Sequence, residues 1–202
     1  MLHSWSIFCK FGTTIDTKNV MKIRLLILVF SFFAILTVSA QEINWVTIEE
    51  AVALQKKEPR KIMMDVYTAW CGPCKMLDRN TFNNKDVVEY VNKNYYAVKF
   101  NAEGNDTVTF NGNTFSNPNY DPAKASRRNG VHEFTRFLQV RAYPTIVFMD
   151  EEAKVIAPIT GYKQPQQLEL YLKMFKGNDY KALDTQQKFN DYFNAFTPEF
   201  TN

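Results

Sequence analysis

Histidine and cysteine are scarce here: two histidines and three cysteines in 202 residues. A zinc site draws on about four ligands, mostly of these two types. His3 lies ahead of the export signal described below, which leaves His132 alone. No metal site and no cofactor are expected. A charge surplus is also missing. The formal net charge is +3, but four of the 24 basic residues and one of the 21 acidic residues precede Gln41. The rest of the chain is neutral, so nothing argues for nucleic acid or an anionic membrane surface as partner. Internal repeats are absent. What is plentiful is apolar matter, 46% of residues, with 15% aromatic. That composition supports a packed core and excludes disorder of the whole chain.

The basic surplus belongs to a targeting segment. Met21-Lys22-Ile23-Arg24 is a short positive start. Leu25 to Leu36 is apolar except for Ser31, and Val38-Ser39-Ala40 offers small residues for cleavage. This is the outline of a secretory signal, cut after Ala40, and predicts a periplasmic or otherwise extracytoplasmic protein. An uncleaved membrane anchor is the alternative, although the run falls short of the ~20 residues of a span. No cysteine follows the cleavage point, which disfavours a lipoprotein. Met21 is the expected true start, with residues 1–20 a translation-start artefact. The mature chain then keeps only Cys71 and Cys74.

Downstream, Thr47-Ile48-Glu49-Glu50 is a capping-box pattern, and a first helix is expected to about Lys57. Ile62 to Tyr67 reads as a buried strand. A helix, straight or bent, follows from near Cys71 to about Asn94, with Pro73 in its first turn, where no amide donor is needed. Tyr95 to Asn101 is the next strand. Residues 102–130 are rich in Asn, Gly, Pro and Ser, with a hairpin around Asn111-Gly112-Asn113. A helix over Val131–Leu138, strands over Thr145–Met149 and Lys154–Thr160, and a helix over Pro165–Phe175 complete the pattern. One more helix, Gln186–Phe196, lies in the tail. The order predicts an α/β layer with a mixed sheet whose last strand pair is antiparallel.

The chemistry concentrates in Trp70-Cys71-Gly72-Pro73-Cys74-Lys75. Two cysteines with two residues between them, after a strand and opening a helix, read as a redox pair. Cys71 sits at the helix N-terminus, where free amides and the dipole favour a thiolate, and Lys75 adds positive charge. Cys71 is therefore the expected nucleophile. Cys74, one turn on and less exposed, is the expected resolving thiol. A purely structural disulfide stays open, although so short a loop gains little chain entropy. Asp65 is a carboxylate inside an apolar strand. Burial would raise its pKa and let it take the Cys74 proton. Lys99, in the neighbouring strand, is its candidate ion-pair partner. Tyr143-Pro144-Thr145 opens a strand. Its proline is a candidate cis residue that would free the preceding backbone for an extended substrate, although local sequence by itself favours trans.

Together these features resemble the thioredoxin family. The six residues from Trp70 to Lys75 match its active-site motif at every position. Asp65 and Lys99 fall where the family keeps its buried acid and adjacent lysine. Arg141-Ala142-Tyr143-Pro144-Thr145 falls at its cis-proline loop, and Gly161 matches a glycine after the last strand. The resemblance runs from about Trp45 to Phe175. It implies a thioredoxin fold: a central mixed sheet flanked by helices, here with an insertion at 104–130 before the cis-proline loop. It divides the chain into an N-terminal segment 1–40, a thioredoxin-like domain 41–176 and a helical tail 177–202.

The resemblance also implies that Trp70, Gly72, Pro73, Tyr143, Pro144 and Thr145 contact substrate. Departures exist. Arg79 stands where classical cytosolic members have a kinking proline. Thr81-Phe82 with Asp86-Val87 is instead similar to exported members, including the C-terminal domain of a membrane electron transporter. Tyr143 replaces a smaller aliphatic residue.

The implied activity is thiol–disulfide exchange. Gly-Pro between the cysteines resembles reducing members, with a potential near ~ −270 mV. Oxidase or isomerase use of the same chemistry, and a binding module for an unfolded or assembling partner, are the alternatives. Isomerases usually dimerise, and residues 177–202 are short for a dimerisation domain, so a monomer is expected. Expected partners are protein disulfides and a separate electron donor, such as a membrane thiol transporter.

Overall fold

The computed structural model describes residues 42–201, so the expected export signal and the expected cleavage point lie outside the described residues. Five strands form the central sheet: β1 (Trp45–Val46), β2 (Lys61–Tyr67), β3 (Tyr95–Asn101), β6 (Thr145–Met149) and β7 (Val155–Thr160). Their order is β1-β3-β2-β6-β7. β2 and β3 run parallel, while β2–β6 and β6–β7 are antiparallel, so the sheet is mixed as expected. The two-residue strand β1, parallel to β3, was not legible in the pattern.

Helix α1 (Ile48–Gln55) opens on the expected capping box. Thr47 accepts from Glu50 N–H, and the Glu50 carboxylate accepts from Thr47 N–H at 2.8 Å. Side chains alternate across the sheet. Ile62, Met64 and Val66 of β2 join Ile48, Val98, Phe100 and Val147 on one face. Met63 joins Leu77, Val91, Ile146, Leu168 and Phe175 on the other. Asp65 shares the parity of Met63, which aims it at the face covered by the helix that carries the cysteines.

That helix is not continuous. It is α2 (Gly72–Leu77), then a π-helical turn at Asp78–Phe82, then α3 (Lys85–Asn94). The Asn84 side chain restarts it by accepting from Asp86 and Val87 N–H at 3.0 and 3.2 Å. The bend therefore comes from a π turn and an Asn cap at the place where a proline is absent.

Residues 104–130 fold onto the domain. Strands β4 (Val108–Phe110) and β5 (Asn113–Phe115) pair as a hairpin. Its turn residues Asn111 and Gly112 have φ of 51° and 77°, the left-handed pair that suits a two-residue turn. Asn117 ties the segment's ends together by donating to the Gly104 and Gly130 carbonyls at 2.9 and 2.7 Å. Gly130 has no room for a side chain: a Cβ would lie 2.5 Å from the Asn119 carbonyl oxygen. Helix α4 (Glu133–Phe137) is shorter than expected because His132 caps it. His132 Nδ1 accepts from Phe134 N–H at 3.0 Å, while Nε2 donates to the Asp106 carbonyl at 2.7 Å.

Helix α5 (Pro165–Gly177) covers the second face, and α6 (Gln186–Ala195) lies in the tail as expected. The last residues return to the domain. Glu199 and Phe200 N–H donate to the buried Glu169 carboxylate, and Thr201 donates to Asp86.

Candidate active site

Parallel neighbours deliver their C-terminal ends to the same edge of a sheet, and loops leaving that edge meet. β2 and β3 end in register at Tyr67 and Asn101. Three residues past the first end comes Trp70, and two past the second comes Glu103. The Trp70 indole N–H donates to Glu103 Oε2 at 2.7 Å.

Cys71 caps α2 and Pro73 lies in its first turn. Cys71 and Cys74 are joined as a disulfide, with Cα atoms 5.3 Å apart. Cys71 Sγ accepts from Cys74 N–H at 3.2 Å, so a backbone donor already faces the sulfur that would carry charge after reduction. The expected difference in exposure between the cysteines is not found: each is 3% exposed. What separates them is that Cys71 lines an open cavity of about 680 Å³, together with Trp70, Gly72 and Pro73.

Opposite stands the loop of Arg141, Ala142 and Tyr143, which lines the same cavity. The Tyr143–Pro144 peptide is cis, against the local preference. The Pro144 carbonyl accepts from Gly161 N–H at 2.8 Å, and Gly161 has a φ of 89°, which explains the glycine. Thr145 is buried, and its hydroxyl donates to the Ala142 carbonyl at 2.8 Å. Thr145 braces the loop and does not line the cavity. Among the described residues, the Tyr143 main chain makes no hydrogen bond. Its ring meets Trp70 edge-on, with centroids 6.4 Å apart. Burial, with the Glu103 carboxylate second, pushes the Tyr143 phenol up to about 12.

Asp65 is 1% exposed and its Oδ1 has no hydrogen-bond partner. Burial raises its pKa to about 7, against the pull of Lys99 and with a push from Asp78. Lys99 Nζ lies 3.7 Å from Asp65, so the expected partner is in place, but its closer contact is with Asp78. The rings of Trp45 and Tyr67 stand 5.1 and 5.2 Å from that ammonium. Lys99 is therefore shared between two carboxylates inside an aromatic cage.

Four residues escaped the sequence reading. Asp78 lies four residues after Cys74, one turn along, which is the signal that could have found it. Glu103 could have been found from the shared strand ends. Arg128 and Asn129, in the 104–130 segment, carry no local signal. The Arg128 guanidinium lies 4.8 Å from the Trp70 ring centre, and Asn129 N–H donates to Glu103 Oε2 at 2.8 Å. The segment thus forms one wall of the cavity.

No group of three or more metal-ligating side chains occurs among the described residues, nor any helix long and apolar enough to cross a membrane. Comparison with known proteins agrees with this architecture. Residues 48–176 match the sequence model of the thioredoxin-like domain. The thiol:disulfide interchange protein DsbD of Pectobacterium atrosepticum is 27% identical over 121 residues, 59% of this chain. The match spans only 17% of that relative's length.

Among solved structures, a thioredoxin from Thermus thermophilus superimposes with a TM-score of 0.51 at 16% identity, over 72% of this chain and 97% of the other. A thioredoxin-fold protein from Helicobacter pylori gives 0.51 at 15% identity, over 73% and 94%. These structural likenesses speak for the fold. The family match, across most of the described chain, establishes that this protein belongs to the thioredoxin-like domain family.

Proposed function

We propose that the protein is an exported thiol–disulfide oxidoreductase that reduces protein disulfides through Cys71 and Cys74. The observation that carries this reading is the Cys71–Cys74 pair itself. It closes as a disulfide at the helix start and meets an open cavity on the Cys71 side.

The cycle starts from the dithiol. The Cys71 thiolate, favoured by the Cys74 N–H and the helix start, attacks one sulfur of the substrate disulfide. The substrate S–S bond breaks, a mixed disulfide forms, and one substrate thiolate leaves. Cys74 then gives its proton to Asp65, which holds it readily near pH 7. The Cys74 thiolate attacks Cys71 Sγ, closing the internal disulfide and releasing the second substrate thiolate, which is then protonated. Two electrons have passed from the protein to the substrate.

Lys99 is a positioning residue that holds Asp65 and Asp78. Trp70, Gly72, Pro73 and Tyr143 form the contact surface, with Pro144 and Thr145 shaping the loop. A single cysteine pair cannot recharge itself, so a separate donor must supply electrons. The similarity to a thiol:disulfide interchange protein supports thiol–disulfide redox partners, and a membrane thiol transporter is the donor we propose. The tail folds back onto α3 and α5 of its own chain, which supports a monomer.

Insulin reduction with dithiothreitol tests the reading. Turnover by the wild type and none by Cys71→Ser is the expected result. Equal rates for both would sink it. A measured potential above about −150 mV would reverse the assigned direction to oxidase.

A further inference from the structure

The cavity beside Cys71 carries an unbalanced set of charges. Arg128 and Arg141 line it from two different loops. Neither guanidinium forms an ion pair or a hydrogen bond among the described residues, and both residues are exposed. Glu103 is the one carboxylate on the lining, and it is 8% exposed. Its Oε2 is already taken by the Trp70 indole N–H and the Asn129 amide. The negative charge is thus committed to holding the wall, while both positive charges are open to a ligand.

Arg128 is also pre-oriented. Its guanidinium lies over the Trp70 ring, 4.8 Å from the centre, which removes rotamer freedom and leaves the N–H edges available. A planar fork in that state suits a carboxylate.

We infer that this cavity recognises a carboxylate next to the scissile disulfide, so that the preferred substrates are polypeptide disulfides flanked by Asp or Glu. The inference rests on the oxidoreductase reading and adds a substrate class to it. A polypeptide is favoured over a small acidic disulfide by Tyr143. Its main-chain N–H and C=O, on the same cavity wall, are unpaired among the described residues and can take an extended strand. The redox step is the one already balanced above. The carboxylate only raises the rate at which the substrate sulfur meets Cys71.

The test uses synthetic peptides with one internal disulfide, identical except for Glu, Gln or Lys beside the cysteines. Pre-reduced full-length protein is mixed with each, and released thiols are followed in a single turnover. The Glu peptide is expected to react about five- to tenfold faster than the Gln peptide at low salt, and the Lys peptide more slowly than either. The Glu/Gln ratio should fall toward one in the R128Q/R141Q double variant, and also in about 0.5 M salt.

A ratio of one in the wild type, or a ratio that survives the double variant, overturns the inference while leaving the oxidoreductase reading intact. If the double variant does not fold, the Lys peptide and the salt series on the unaltered protein decide alone. Oxidised glutathione is the small acidic probe. A rate equal to that of the Glu peptide would transfer the cavity to small disulfides and overturn the polypeptide assignment. No reduction of any probe would bring down the redox reading itself, and this inference with it.

Discussion

Two charged clusters flank the cysteine pair, and they are built oppositely. Beneath it, Asp65, Lys99 and Asp78 lie in or against the sheet, with Lys99 caged by rings. Beside it, Glu103, Arg128 and Arg141 line an open cavity. In the inner cluster two acids share one base, and burial is the largest influence on Asp65. In the outer cluster two bases face one acid whose oxygen is already hydrogen-bonded. The contrast teaches that the same residue types do different work at different depths. Burial lets Asp65 keep its proton to about pH 7, whereas the outer guanidiniums of Arg128 and Arg141 stand exposed on the cavity lining.

The sharpest way to break this contrast is Asp65→Asn. An acid with a raised folded pKa binds its proton more tightly in the native state. The stability it adds is complete below pH 3.8, its unfolded value, and is lost as pH climbs through about 7. The wild type should therefore weaken by on the order of 4 kcal/mol from this residue between about pH 4 and pH 8. Urea unfolding of the Asn variant should show that slope removed, with the variant more stable at the higher pH. The same variant should resolve mixed disulfides on the order of 10²-fold more slowly at neutral pH. A resolution rate equal to wild type would remove Asp65 from the proton path.

On the outer side, Gly130→Ala forces a Cβ into the Asn119 carbonyl, 2.5 Å away. A loss of about 2 kcal/mol is expected, read as a lower urea midpoint. Hydrogen exchange should quicken across 117–130 and stay unchanged in β2. Trp70→Phe keeps a ring for Arg128 and Tyr143 but deletes the indole donor. The Glu103 carboxylate then keeps only the Asn129 bond, at a cost of about 1–2 kcal/mol. Proteolysis within 104–130 should rise if the indole clasp holds that wall, and would stay level if it does not. The smallest change is Asp78→Asn. Because Asp78 raises the Asp65 pKa and Lys99 lowers it, this variant should shift Asp65 downward. Titration of Asp65 by NMR reads the shift, and a move upward would contradict the arrangement.

Much of the inner cluster was legible beforehand. Asp65 announces itself as a charge inside an apolar strand, and Lys99 as its neighbour in the next strand. Parallel pairing then puts them side by side, Asp65 against Lys99. Asp78 was missed because an acid on a helix after an active-site motif looks like an ordinary solvated residue. The outer cluster was almost invisible. Arg128 and Asn129 sit in a polar stretch whose local sequence gives loop and nothing more. Only the closure of that stretch by Asn117 and Gly130 brings them to Trp70. The bend in the active-site helix was also foreseen only loosely, because a π turn leaves no residue as distinctive as proline.

The sequence by itself determined the chemistry: two cysteines at the start of a helix after a buried strand, an acid in that strand, and a proline opening a later one. Those features are local, set by spacing and by the periodicity of strand and helix. The tertiary structure alone decided the state of the Tyr143–Pro144 peptide, the sharing of Lys99 and the identity of the cavity wall. Each depends on contacts between segments far apart in the chain, which register and loop closure bring together and no local pattern encodes.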